Sequence, residues 1–205
     1  MAADLGPWEP LPPDDLADLL AGVGCPWWLA GGWSIDSLLG HQTRPHGDTD
    51  VLILRRDHLA VRRHLAAWDA HAADPPGTLR PWPVGEQLPT AVHDIWLRRS
   101  PEHPWAFQLM IDDTDGDDWL FRRDHRIRRP VAELAAPAPG LFGLPTLSPD
   151  VQLLYKAKGP RAKDEQDFDA AQDLLSPAQR SWLASALQRV DPTHPWLARL
   201  RRAGD

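Results

Sequence analysis

Lysine is almost missing from this chain: of 22 Lys and Arg residues in 205, only Lys156, Lys158 and Lys163 are lysines. Cysteine is rarer still, and Cys25 alone excludes an intrachain disulfide framework and any multi-cysteine metal site. No basic excess exists. The net charge of −7 argues against a nucleic-acid partner, because duplex binding needs a basic face. No stretch approaches the roughly 18 apolar residues of a membrane span, and Met1 to Pro13 is acidic and proline-rich rather than leader-like, so a cytoplasmic location is expected. The nine histidines are scattered with no His-x-x-x-His pair on a convincing helix, which speaks against a zinc hydrolase. Neither a Gly-x-Ser-x-Gly elbow nor a P-loop occurs, and no internal repeat is visible.

What is present is concentrated between Trp27 and Arg55. An apolar run, Trp27 to Ala30, ends in Gly31-Gly32, after which Ile35, Leu38 and Leu39 follow helical spacing up to Gly40. A strand, a glycine pair and a helix aim backbone N–H groups and the positive end of the helix dipole at one point, which suits a phosphate, and Ser34 adds a hydroxyl there. Then Asp48-Thr49-Asp50 opens the continuously apolar Val51 to Leu54. Strand residues i and i+2 face one side, roughly 6.5–7 Å apart, so the two carboxylates can hold hard cations such as Mg²⁺. A phosphate cradle beside a metal clamp is what nucleotidyl transfer requires.

The run Gly31, Gly32, Trp33, Asp36, Leu39, Gly40, Thr43, Arg44, His46, Asp48 and Asp50 resembles the aminoglycoside and lincosamide nucleotidyltransferases of the polymerase-β-type superfamily. The close likeness spans about Trp27 to Arg55 and continues more loosely to Leu147–Phe168. It implies an α+β fold, a nucleotidyltransferase-like mixed sheet flanked by helices over residues 1–140, with a helical C-terminal segment over 141–205 packed on it. It also implies transfer of a nucleoside monophosphate from a nucleoside triphosphate to a hydroxyl of a small, aminoglycoside-like acceptor, with release of pyrophosphate. Two Mg²⁺ ions and an antibiotic-resistance type of role follow from the same likeness. Such enzymes use a third carboxylate on a neighbouring strand. The position matched in Ala106–Asp112 holds Gln108, an amide that cannot act as a base. Asp94, on the paired strand of the same hairpin, is the expected third carboxylate, as metal ligand beside Asp48 and Asp50 and as base, with Asp112 as the fallback. Gln108 keeps open a catalytically weak nucleotide-binding regulator. A transferase that modifies a partner protein is the other alternative.

The lysines carry a further signal. Where the chain elsewhere uses the planar fork of arginine, Lys156 and Lys158 supply flexible point charges for a triphosphate, while Lys163, ahead of Asp164, Glu165 and Asp167, fits a salt-bridged first turn. Arg44 is a candidate triphosphate clamp, and His46 a candidate phosphate ligand or orienter of Asp48. Asp36 is read as tying its helix to the following loop. Trp96 and Trp105 are candidates to stack a base or sugar. The acidic run Asp112 to Asp118 reads as a solvated hairpin turn, balanced by Arg122-Arg123 and Arg128-Arg129. Helices are expected at 14–23, 33–39, from Asp57 to about 73, and at 149–158, 163–175, 177–189 and 195–202. Strands are expected at 27–30 and 49–54, and near 78–82, 90–98, 105–112 and 119–128. Pro130 to Pro145 is a connector. Strands first and helices last describe an α+β domain. Acceptor identity, the choice of ATP or GTP and oligomeric state leave no mark on the sequence.

Overall fold

In the computed structural model, which describes residues 5–138 and 140–202, two apolar strands form the centre. Strand β2 (Asp50–Leu54) and strand β6 (Phe107–Asp115) run parallel, with Asp50 opposite Gln108 and Leu54 opposite Asp112. Around them the order is β1 (Trp27–Ala30), β2, β6, β5 (Asp94–Arg98), β3 (Asp69–Ala73) and β4 (Leu79–Pro81), and every pairing except β2 with β6 is antiparallel. The far end of β6 continues into a hairpin with β7 (Asp118–Leu120), which pairs β8 (Arg128–Pro130). The result is an eight-stranded mixed sheet with helices on both sides, an α+β fold.

Period-two alternation divides the core. Val51, Ile53, Ile95, Leu97, Phe107, Leu109 and Ile111 face one side, where they meet α1 (Pro13–Leu20) and α3 (His58–His64) through Leu16, Leu20 and Val61. Leu52, Leu54 and Met110 face the other. There they meet α2 (Gly31–Leu39) and the C-terminal helices α4 (Pro149–Lys156), α5 (Ala162–Ala171), α6 (Pro177–Val190) and α7 (Trp196–Arg202). Each fully buried Leu or Ile in these layers contributes about 1.5–3 kcal/mol. The second face is only partly covered. In β3 and β5, Ala70, Ala72, Ile95 and Leu97 are buried, whereas Asp69, His71, Asp94, Trp96 and Arg98 are half-exposed on the reverse side.

Two sequence expectations are corrected. The helix expected from Asp57 stops at His64, and Asp69–Ala73 is a strand instead. Helical spacing of Val61, Leu65 and Trp68 hid it, and Ala-rich composition gave little strand signal. The strand expected over 119–128 is two short strands joined by a turn that Phe121 N–H closes onto the Ile127 carbonyl. Elsewhere the expected elements occur within a few residues of their expected ends. The acidic run is a turn only at Gly116 and Asp117: Asp112 to Asp115 end β6 with Asp112 fully buried, and Arg128 pairs with Asp115 and Asp118, whereas Arg122 pairs with Asp94 and Arg129 with Asp150. No helix among the described residues is long and apolar enough to cross a membrane.

Candidate active site

Helix α2 begins on the glycine pair itself, two residues before its expected start. Gly31 has φ +69°, and a Cβ there would lie 2.2 Å from Oδ2 of Asp50. Only glycine lets the helix start rest against the carboxylate. Asp50 and Asp48 share one side of the chain, while Thr49 between them is buried and donates its hydroxyl to the Leu11 carbonyl at 2.7 Å. Among the described residues, neither Asp48 nor Asp50 receives a side-chain hydrogen bond. Burial first, and the Asp48 charge second, push the Asp50 carboxyl up to about 7, with Lys156 and Lys163 pulling it back. The two aspartates open into a polar cleft of about 430 Å³ whose other walls carry Gln108, Arg122, Arg123, Gln152, Lys156, Lys158 and Arg161.

The remaining predicted residues are not gathered in one way. Gly31 N–H donates to Gln152 Oε1 at 2.9 Å, so this amide is already bonded. Ser34 is fully buried and donates to the Gly31 carbonyl at 2.9 Å. The ring of His46 and the guanidinium of Arg44 lie against Gly32, within 2.3–2.5 Å of where a Cβ would be. His46 Nε2 bonds Asp36 at 2.5 Å, and Thr43 reaches the same carboxylate, so Asp36 does tie its helix to the loop. Burial, and after it the Arg44 charge, push the His46 pKa down despite Asp36. Arg44 forms a two-pronged pair with Asp167 at 2.9 and 2.7 Å. Lys156 also binds Asp167, at 2.6 Å, and approaches Asp164 at 3.6 Å. Arg44 and Lys156 therefore clamp α5 to the loop and to α4, and against burial they hold Asp167 below its usual range. Lys158 is exposed in the cleft, with no ion pair among the described residues. Lys163 makes none either. The salt-bridged first turn of α5 is made by Arg161 and Asp164 at 2.8 Å, and the charge of Lys163 is felt at Asp50 instead.

Asp94 and Gln108 are diagonal neighbours across β5 and β6 on the face that carries Asp50, and Gln108 Nε2 donates to Asp94 Oδ1 at 3.1 Å. Arg122 holds the same oxygen at 3.0 Å. The Asp94 charge registers at Asp50. Asp112 lies deeper. Its Oδ2 accepts from Trp119 Nε1 at 2.6 Å and from the Tyr155 hydroxyl, and it does not line the cleft. Sequence reasoning missed Arg122, Arg123, Gln152 and Arg161. Gln152, Lys156 and Gly159 follow i, i+4, i+7 spacing toward the cleft, a signal available before the fold. Arg122 and Arg123 had none, because the turn after β7 brings them there.

The fit to a divalent cation rests on the donor set. Two carboxylates without donors, one raised by burial and then by its neighbour, suit a hard cation that completes its shell with water and phosphate oxygens. Among the described residues no group of three or more His, Cys, Asp or Glu side chains is close enough to form an all-protein cage.

A mixed sheet with an aspartate pair beneath a glycine helix start, faced by a cationic helical wall, defines a nucleotidyltransferase-like architecture. Residues 14–73 match the family model described as Aminoglycoside-2''-adenylyltransferase. Among solved structures, the lincosamide antibiotic adenylyltransferase LnuA bound to lincomycin superposes with a TM-score of 0.56 at 16% identity, over 82% of this chain and 100% of that one. ANT(2")-Ia in complex with adenylyl-2"-tobramycin gives 0.52 at 15% identity, over 85% and 94%. The search of curated protein sequences finds no match. Over residues 14–73 the chain is similar in sequence to the aminoglycoside-2''-adenylyltransferase family, and over most of its length it shares the fold of the two adenylyltransferases above.

Proposed function

We propose that this chain transfers a nucleoside monophosphate from a nucleoside triphosphate to a hydroxyl of a small antibiotic-like molecule, with Mg²⁺ held by Asp48 and Asp50. The observation that carries the reading is Asp50: pressed against Gly31, raised by burial and then by Asp48, and left without a donor, in a cleft whose lining includes Arg122, Arg123, Lys156, Lys158 and Arg161. Mg²⁺ at this pair would neutralise charge on the transferring phosphate and lower the pKa of the attacking hydroxyl. Lys158, Arg161 and Arg123 meet the triphosphate from the helical side. Asp94, oriented by Gln108 and Arg122, accepts the acceptor's proton as general base. The hydroxyl oxygen forms a bond to the α-phosphorus as the bond to the bridging oxygen breaks, and pyrophosphate leaves with that electron pair.

The test is pyrophosphate release with each nucleoside triphosphate and Mg²⁺, in the presence and absence of lincosamides and aminoglycosides. Acceptor-dependent release supports the proposal. Nucleotide binding without release across the panel favours the regulatory reading that Gln108 motivates, and a label appearing on a partner protein favours protein modification.

A further inference from the structure

The cationic wall leaves the acceptor one free approach. Strand registers place Asp50, Gln108, Trp96 and His71 in one lateral row on the same face of the sheet, with Asp94 diagonal to Gln108 and beside Trp96 on β5. On one side of this row stand α4 and α5 with Lys156, Lys158 and Arg161. On the other, beyond Gln108, the face of β5 and β3 is half-exposed. The incoming hydroxyl must arrive opposite the departing pyrophosphate, hence from the side that Asp94 marks.

The next side chain on that side is a tryptophan. Trp96 meets Trp8 edge to face at 4.9 Å and Trp105 at 5.7 Å. Trp105 is locked beneath them, 3% exposed, with Arg98 stacked on it at 4.4 Å. Its indole N–H donates to the Leu5 carbonyl at 2.6 Å. Trp28, Trp82, Trp119 and Trp196 are likewise buried, whereas Trp8 and Trp96, like Trp27, Trp33, Trp68 and Trp182, are half-buried. An indole packed edge to face against two others loses little freedom on meeting a ligand, and its apolar face suits the C–H face of a saturated ring whose hydroxyls point outward.

Building on the transferase reading above, we propose that Trp96, buttressed by Trp8, is the platform on which a saturated ring of the acceptor stacks while its hydroxyl reaches Asp94. Trp105, also a sequence candidate for stacking, acts only as the support.

The test uses the full chain with a non-hydrolysable MgATP analogue and a panel of methyl glucoside, glucosamine, kanamycin and lincomycin, followed by saturation-transfer NMR and calorimetry. At least one ring compound is expected to receive saturation from tryptophan protons. W96A should weaken that compound's binding about tenfold, with W96F restoring most of it and W8A weakening it less. Affinity for the nucleotide analogue should stay within about twofold in all three variants. A wild-type chain that binds the nucleotide but no ring compound, or a folded W96A that binds the panel unchanged, overturns the platform. Failure of the wild-type chain to bind nucleotide overturns the transferase reading itself and is seen separately.

Discussion

Asp50 and Asp112 lie on one face of neighbouring strands, roughly 13 Å apart by strand rise, and the protein treats them oppositely. Around Asp112 the fold supplies partners: the Trp119 indole and the Tyr155 hydroxyl both donate to Oδ2, and apolar core surrounds the pair. Burial raises this carboxyl against those two hydrogen bonds, and with Asp112 it lifts Tyr155 well above the usual phenol range. Around Asp50 the fold supplies a second carboxylate, a glycine without a side chain and an opening to solvent. One region satisfies Oδ2 of its buried carboxylate internally and, among the described residues, leaves Oδ1 without a partner. The other leaves a charge to be resolved from outside, at a cost in stability that a structural role would not require.

Removing the carboxylate should therefore act with opposite sign at the two positions. Asp50→Asn is expected to lower turnover by roughly 10²–10³-fold or more. In the absence of metal it should raise stability by about 2 kcal/mol near pH 8, after discounting for solvent in the cleft. Asp112→Ala should lose about 2–3 kcal/mol, since Trp119 N–H and the Tyr155 hydroxyl are left unpaired in the core. Urea denaturation of the three proteins measures both. A destabilised Asp50→Asn variant would erase the contrast.

The contrast also has a pH signature. Asp50 holds its proton up to about 7 in the folded chain, above the ordinary 3.8, so the folded state binds that proton more tightly than the unfolded one. Its contribution to stability is full below about pH 4 and is lost as pH rises through about 7. Between about pH 5.5 and pH 8 the wild-type chain should lose about 1 kcal/mol more than Asp50→Asn, which cancels the contribution of every other group. Millimolar MgCl2 should restore the loss near pH 8 in the wild type alone. Equal pH slopes for the two proteins in thermal melts would show that Asp50 is not held protonated.

How much of this was visible in the sequence depends on range. Asp48 and Asp50 could be read because period two and an apolar run are local properties, and Gly31-Gly32 because a helix must start somewhere after a buried strand. The C-terminal helices announced themselves in the same way: Ser176 and Gln179 form a capping box, with Pro177 at the first turn of α6. The uses of Arg44, His46 and Ser34 were not visible. Asp167 lies 123 residues from Arg44, and Gln152 lies 121 from the Gly31 amide it occupies. Nothing in the local pattern distinguishes an arginine that will meet a phosphate from one that will meet an aspartate. The diagonal placement of Asp94 and Gln108 was legible as a hairpin, because alternating β5 and the apolar run of β6 flank a short loop.

The two lysines nearest the site give the smallest and sharpest version of the comparison. Lys156 is nearly buried and paired with Asp167 at 2.6 Å; Lys158, two residues on, stands in solvent between the cleft and an adjoining cavity of about 440 Å³ that shares Arg123, Lys158 and Gly159 with it. Lys156→Ala should cost about 2 kcal/mol of stability, less than a fully orphaned buried charge because Arg44 still holds Asp167. Lys158→Ala should leave stability unchanged within about 0.5 kcal/mol, as expected of an exposed side chain. Its effect belongs in the KM for the nucleoside triphosphate, raised about tenfold, equivalent to about 1.4 kcal/mol. Melting curves together with nucleotide KM values separate the two roles, because Lys156→Ala should lower stability whereas Lys158→Ala should raise KM and spare stability. A stability loss at Lys158 without a change in KM would place the triphosphate elsewhere in the cleft, against Arg161 and Arg123.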